Sequence, residues 1–210
     1  LNRAKKAIED GSFKKEITPV NYVSRGETIK VSYDEQPLIV DLSKISKLKP
    51  AFEKNGTVTA ANSSSISDGA AALVMMRETH ARELKIKPIA RFVQHSSFAH
   101  SPEWFTTAPV YAIKSILKNI GWSTKEVDLF EINEAFAVVS MAAMKDLELS
   151  PEKVNIHGGA CALGHPIGAS GARILITLIS ALKKYRKNRG VASLCIGGGE
   201  AIAMAVEILN

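Results

Sequence analysis

The chain has 210 residues, of which 46% are hydrophobic and 23% charged, so it can bury a sizeable core as one large domain or as one domain with part of another. No apolar run approaches the roughly 18 residues of a membrane span, which argues against an integral membrane protein. The net charge is +6, but no aromatic-rich basic stripe or recognised module accompanies it, which argues against nucleic-acid binding.

The first part of the chain predicts short elements. A helix ends at Gly11, and we expect the natural N-terminus to precede Leu1. The further predicted elements are strands at 16–20, 28–33 and 57–60, a short helix at 42–48, and a helix from Ser67 or Asp68 to Leu84.

After residues 85–88 the pattern becomes a regular alternation of strands and helices. The predicted strands are 89–93, 127–132, 154–157, 191–196 and 201–208, and the predicted helices are 109–120, 134–147 and 172–185. This alternation indicates an α/β layer architecture, and a hairpin of the last two strands would make the sheet mixed.

Residues 155–173 contain five glycines around one His–Pro pair, immediately before an apolar helix pattern. Glycine lets the backbone pass close to a ligand and adopt positive φ. A lone histidine is usually structural, but an imidazole in such a turn can accept a proton from a nucleophile or donate a hydrogen bond to an oxyanion. His165 is therefore a candidate catalytic residue.

Cys195 ends an apolar strand and is followed by three glycines. A buried strand cysteine can be an inert small hydrophobe, and the glycines can form a simple hairpin turn. The alternative is a reactive thiol beside N–H groups, such as that of Gly197, that point at a developing oxyanion. The other cysteine, Cys161, lies among small residues and is expected to pack. Two thiols without paired ligand spacing favour a reducing compartment and no metal site.

Asn133 follows a predicted strand and precedes a helix. An asparagine there is usually a helix N-cap, but its amide can also hold a water or a carbonyl oxygen. The neighbouring Glu134 suits the first helical turn and can orient a neighbour. Neither glycine cluster fits the strong nucleotide-binding patterns, so nucleotide binding remains a minor hypothesis.

Three segments together resemble the motifs of the thiolase family in order and spacing, namely residues 133–137, 158–173 and 195–199. A fourth segment, residues 56–71, resembles the one that closes the CoA-binding loop domain of the family. The resemblance implies an α/β thiolase fold, layered αβαβα with a mixed sheet. It divides the chain into the end of the loop domain (1–66), a closing helix of the N-terminal domain (67–87) and the C-terminal domain (88–210). It also implies that the chain is a C-terminal half and lacks the family's nucleophilic cysteine.

The resemblance also implies roles for the candidate residues. His165 would help to form the thiolate of the missing cysteine, and Cys195 would remove or return the α-proton of acetyl-CoA. His165 and a water held by Asn133 would form one oxyanion hole, and the Gly197 N–H would contribute to another. Ser64 matches a CoA-contacting serine, and Ala135 and Phe136 match residues that line the ligand tunnel.

The activity implied is the reversible condensation of two acetyl-CoA molecules to acetoacetyl-CoA and CoA, with CoA thioesters as substrates and no separate cofactor. We expect a homodimer or homotetramer in the cytoplasm, with the mitochondrion as an alternative. Two other readings stay open. One is a degradative 3-ketoacyl-CoA thiolase that acts on longer chains, and the other is a non-catalytic thiolase half that serves as an assembly module.

Overall fold

The computed structural model describes residues 1–209. Its helices are α1 Asn2–Glu9, α2 Gln36–Ile39, α3 Glu78–Glu83, α4 Ala108–Ile120, α5 Ala137–Asp146, α6 Ala160–Leu163 and α7 Ser170–Lys184. Its strands are β1 Val20–Ser24, β2 Glu27–Val31, β3 Ala90–Ala99, β4 Leu129–Ile132, β5 Arg189–Cys195 and β6 Glu200–Ile208. Short 3₁₀ turns lie between them, including Leu42–Lys47, where a short helix was predicted. Within this range no helix is long and apolar enough to cross a membrane.

The central element is a four-stranded sheet with the order β3-β6-β5-β4. Strands β4 and β5 are parallel, whereas β5–β6 and β6–β3 are antiparallel. The predicted C-terminal hairpin and mixed sheet are thus confirmed. Strands β1 and β2 form a separate antiparallel hairpin.

Successive side chains of a strand point to opposite faces of the sheet. Both faces here carry buried apolar side chains, and helices cover both. Val191 and Ala205 pack into a cluster with α4 and α5. Their neighbours Ala192 and Val206 pack into a second cluster with α7. The result is an α/β/α arrangement, and the predicted α/β class is confirmed.

Helix α4 shows why the predicted C-terminal elements form. Ile113, Ile116 and Leu117 are spaced for one helix face, and all three are buried. The helix ends where Gly121 adopts φ +71°, the left-handed conformation that favours glycine. The predicted helix at 109–120 therefore lies within one residue of the observed one.

The predicted closing helix from Ser67 or Asp68 to Leu84 is largely wrong, since only α3 is helical there. Residues 70–76 are a continuous apolar run without the polar positions of an amphipathic helix, and such a run does not distinguish a helix from a strand. Val74 and Met75 are well exposed, at 89% and 62% of their surface. The run has no apolar face buried against the rest of the chain that would stabilise a helix.

Three predicted strands are also absent or reduced in the described residues. At 57–60, the Asn62 side chain bonds the Thr59 N–H and the Thr57 carbonyl, which satisfies this backbone locally. At 16–20, Pro19 lacks an N–H for strand pairing. At 154–157, one bridge from Val154 to Phe130 remains, because the next residue has φ +48° and leaves the extended conformation.

Candidate active site

The site lies where the two parallel strands β4 and β5 end. Ile132 pairs with Ser193, and the Asn133 N–H donates to the Ser193 carbonyl at 2.9 Å. Strand β4 ends at Ile132 and β5 ends at Cys195. Because parallel strands present their carboxyl ends at one edge of a sheet, Asn133 and Cys195 leave the sheet at the same edge.

The glycine-rich turn brings His165 to Asn133. The Asn133 Nδ2 lies 3.3 Å from the His165 Nε2, and Asn133 is buried. The His165 N–H donates to the Ser65 carbonyl at 3.0 Å, so the turn is held against the segment before residue 67. Gly164 has φ +90°, and a Cβ on it would overlap the Ser67 hydroxyl. Only glycine fits both the conformation and the close approach there.

The imidazole of His165 is held between two polar groups. Its Nδ1 lies 2.6 Å from the Ser170 Oγ, opposite the Asn133 contact. Desolvation by burial, together with the positive charge of Arg173, lowers the pKa of His165 below its ordinary value. A neutral imidazole at neutral pH can accept a proton from a nucleophile.

Cys195 lies at the same edge but inside the hydrophobic cluster, with 6% of its surface exposed. Burial raises the pKa of its thiol to about 11. The thiol is therefore protonated at neutral pH, and its thiolate would be a strong base. No hydrogen bond joins Cys195 to His165 in the described residues. Asn133 is in contact with His165 and bonds the Ser193 carbonyl, two residues before Cys195.

The glycine turn after Cys195 leaves donors free. Ile196 pairs with Glu200 at 2.8 Å, and the Gly199 N–H donates to the Ile196 carbonyl at 3.1 Å. The exposed Gly197 N–H donates to no acceptor within residues 1–209. This arrangement is compatible with the predicted oxyanion donor, whose role stays a prediction.

The three predicted CoA-binding residues come together where residues 63–64 meet residues 135–136. Ser64 donates through both its N–H and its hydroxyl to the Ala135 carbonyl, each at 3.0 Å. Ser63 forms an antiparallel bridge with Phe136. The Phe136 ring lies edge-on to the rings of Phe52 and Phe105, at centroid distances of 6.4 and 6.2 Å. Phe136 and Phe105 are half-buried, whereas Phe52 is exposed. Aromatic rings beside a few polar groups are typical of the lining of a ligand-binding site.

Sequence reasoning missed Asn155, which fixes the strand end before Asn133. Its buried side chain accepts from the Ile132 N–H and donates to the Ile132 carbonyl, both at 2.8 Å, and donates to Glu134 Oε1 at 3.0 Å. Glu134 Oε2 also accepts from the Cys161 N–H at 3.3 Å. Glu134 therefore orients neighbouring segments, as one of its two sequence interpretations proposed. The spacing of 23 residues between Ile132 and Asn155 carries no pattern that predicts this contact.

Ser170 was missed as well, because a serine in the first turn of an apolar helix reads as a helix-starting residue. Metal binding was not predicted, and residues 1–209 contain no group of three or more His, Cys, Asp or Glu side chains that could hold an ion.

The fold and site define a class of α/β proteins with an amide and a thiol at the ends of two parallel strands and an imidazole from a glycine-rich turn in contact with the amide. The family model "Thiolase, C-terminal domain" matches residues 86–208, and "Thiolase, N-terminal domain" matches residues 1–79. The chain belongs to the thiolase family. The domain boundaries given above remain a prediction.

Two similar proteins from one organism are both acetyl-CoA acetyltransferases. The chain is 52% identical to the cytosolic acetyl-CoA acetyltransferase of Rattus norvegicus over 98% of this chain and 53% of the relative. It is 48% identical to the mitochondrial acetyl-CoA acetyltransferase of the same organism over 99% of this chain and 49% of the relative. The chain thus spans about half the length of the relatives it matches, which include cytosolic and mitochondrial forms.

Solved structures share the fold. The acetyl-CoA acetyltransferase of Bacillus anthracis matches with a TM-score of 0.96 and 44% identity, over 99% of this chain and 53% of that one. The human mitochondrial 3-ketoacyl-CoA thiolase matches with a TM-score of 0.92 and 36% identity over the same shares. The predicted thiolase fold is confirmed.

Proposed function

We propose that this chain supplies half of the active site of an acetyl-CoA C-acetyltransferase, which reversibly condenses two acetyl-CoA molecules into acetoacetyl-CoA and CoA. The observation that carries the proposal is the contact between Asn133 and His165 at the strand edge where Cys195 also ends. An imidazole and an amide placed there can stabilise a developing oxyanion, and the thiol can exchange a proton.

In the first half-reaction, a cysteine outside this chain attacks the thioester carbonyl of acetyl-CoA. His165 accepts the proton of that thiol, the acetyl group forms a new thioester with the cysteine, and CoA leaves as a thiolate that takes the proton of the Cys195 thiol, so that Cys195 becomes the thiolate. The lowered pKa of His165 suits this step, because the imidazole is neutral and ready to accept. The Gly197 N–H contributes a hydrogen bond to the oxyanion of the tetrahedral intermediate.

In the second half-reaction, the Cys195 thiolate removes the α-proton of another acetyl-CoA. The enolate oxygen is stabilised by His165 and by a water on the Asn133 amide. The carbanion attacks the acetyl–cysteine carbonyl, a carbon–carbon bond forms, and the cysteine leaves as a thiolate that takes back its proton from His165. In the reverse direction Cys195 returns the proton to the departing acetyl-CoA carbanion, which suits a thiol whose pKa is raised to about 11.

CoA thioesters are the proposed substrates, and the reaction uses no further cofactor. Ser64, Ala135 and Phe136 are proposed to contact the CoA chain beside His165. The relatives named acetyl-CoA acetyltransferase, at 52% and 48% identity, support acetyl-CoA as the substrate. We further infer a cytoplasmic location, which the cytosolic relatives support, and we propose a homodimer or homotetramer as the assembly.

The test is thiolysis of acetoacetyl-CoA by CoA, measured with the purified chain alone and with the chain co-expressed with the N-terminal half of the rat cytosolic relative. We expect no turnover by the chain alone, turnover by the pair, and loss of that turnover with His165→Ala. Turnover by the chain alone would show that the missing nucleophile is not needed. A stable pair without turnover would favour the assembly-module reading, and a preference for longer 3-ketoacyl chains would favour the degradative enzyme.

A further inference from the structure

The first turn of α7 places the Ser170 side chain in contact with the His165 ring. The Ser170 Oγ lies 2.6 Å from the His165 Nδ1 and 3.0 Å from the Pro166 carbonyl oxygen. Ser170 has 0% of its surface exposed, so its hydroxyl cannot exchange these partners for water. A buried hydroxyl has one proton to donate, and which partner receives it determines which nitrogen of His165 carries a proton.

Two arrangements of protons are consistent with the heavy atoms. In the first, the Ser170 hydroxyl donates to the Pro166 carbonyl, the His165 Nδ1–H donates to Ser170, and the bare Nε2 accepts from the Asn133 amide. In the second, Ser170 donates to Nδ1, the Nε2 carries the proton, and the Asn133 amide is turned so that its oxygen accepts.

The surroundings of Asn133 separate the two arrangements. The amide atom that does not face His165 is buried without a hydrogen-bond partner in the described residues. In the first arrangement that atom is an oxygen, so one acceptor and the second hydrogen of the NH₂ group that faces His165 are unpaired. In the second it is an NH₂ group, so two buried donors are unpaired, which costs more free energy because proteins tolerate an unpaired buried donor less often than an unpaired carbonyl oxygen. The bond from Ser170 to the carbonyl four residues earlier is a common geometry in the first turn of a helix.

We propose that Ser170 is a positioning residue that keeps neutral His165 in the tautomer protonated at Nδ1, so that the basic nitrogen is Nε2. This inference rests on the proposed function for its consequence, since Nε2 is the atom that would accept the proton of the incoming nucleophile. The Nε2 then carries that proton and donates to the oxyanion, while the Nδ1–H bond to Ser170 is retained in both states. The ring needs no rotation between its two tasks.

The tautomer can be read on the chain itself by long-range ¹H–¹⁵N correlation of ¹⁵N-histidine-labelled protein near about pH 8, where an imidazole is neutral. His165→Gln assigns the resonance by its loss. We expect the unlike nitrogen shifts of an Nδ1–H tautomer in the natural chain. Ser170→Ala is expected to shift the ring toward the Nε2–H form, and Ser170→Thr, which keeps the hydroxyl, to retain the Nδ1–H form.

An Nε2–H tautomer in the natural chain would overturn the proposal, and this measurement needs no variant to fold. An unchanged Nδ1–H tautomer in folded Ser170→Ala would equally overturn it. In the complemented enzyme, Ser170→Ala should slow acyl transfer by about tenfold, the equivalent of one lost hydrogen bond, with the rate recovered in Ser170→Thr. The tautomer measurement involves no catalysis, so failure of the proposed function and failure of this inference give different results.

Discussion

The Asn155 side chain is the clearest target for a stability measurement, because it replaces a missing strand neighbour beside β4. Its amide bonds both the N–H and the carbonyl of Ile132, at 2.8 Å each. Removing the side chain leaves both buried backbone groups unpaired, and each such group costs about 1–3 kcal/mol. We therefore expect Asn155→Gly to lower the free energy of unfolding by about 3 kcal/mol.

The backbone conformation of Asn155 allows two substitutions at this position to be compared. Asn155 has φ +48°, where a residue with a Cβ is strained and glycine is not. Asn155→Ala should therefore be less stable than Asn155→Gly by about 1 kcal/mol. Asn55→Gly is the matched control, because Asn55 is exposed and its side chain makes no hydrogen bond in the described residues.

Urea unfolding of the purified variants, followed by circular dichroism, measures these differences. The control should change the free energy of unfolding by less than about 0.5 kcal/mol. A loss below about 1 kcal/mol for Asn155→Gly would refute the reasoning, since an orphaned pair of buried backbone groups cannot cost so little.

Two further predictions concern stability. Burial lowers the pKa of His157 to about 4, so the folded state favours the neutral imidazole. The contribution of this group to the free energy of unfolding is complete above about pH 6.5, and up to about 3 kcal/mol is lost as the pH falls toward 4. Melting temperatures measured across this window should fall less in His157→Asn, and equal slopes in the two proteins would contradict the assignment. In urea unfolding, Gly164→Ala should lower the free energy of unfolding by about 2 kcal/mol more than Gly121→Ala. Both glycines have positive φ, but only Gly164 has no room for a Cβ. Equal losses would mean that the close approach of Gly164 to Ser67 is unimportant.

The C-terminal elements were predictable because periodic burial and local stop residues agree there. The apolar spacing of α4 and its terminal Gly121 act within the helix itself, so they are visible in the sequence. Residues 70–76 lack such agreement, since the same apolar run fits a helix or a strand and its side chains find no buried face in this chain.

The sequence likewise predicted some residues of the candidate active site and not others. His165 and Asn133 were predicted from glycine-rich motifs and a strand end, and the structure brings their side chains into contact. Asn155 and Ser170 act through contacts that depend on how the turn and the strand end meet in space. Neither residue type is unusual at its place in the sequence, so no local pattern distinguishes them from a turn asparagine and a helix-starting serine.

The central claim is that Cys195 exchanges the α-proton while His165 serves both half-reactions. Acyl transfer to the nucleophile and condensation can be followed separately in the complemented enzyme by rapid mixing with acetyl-CoA. We predict that Cys195→Ser slows condensation at least about 100-fold more than acyl transfer, as expected for loss of a general base. Equal slowing of the two half-reactions would contradict the assignment.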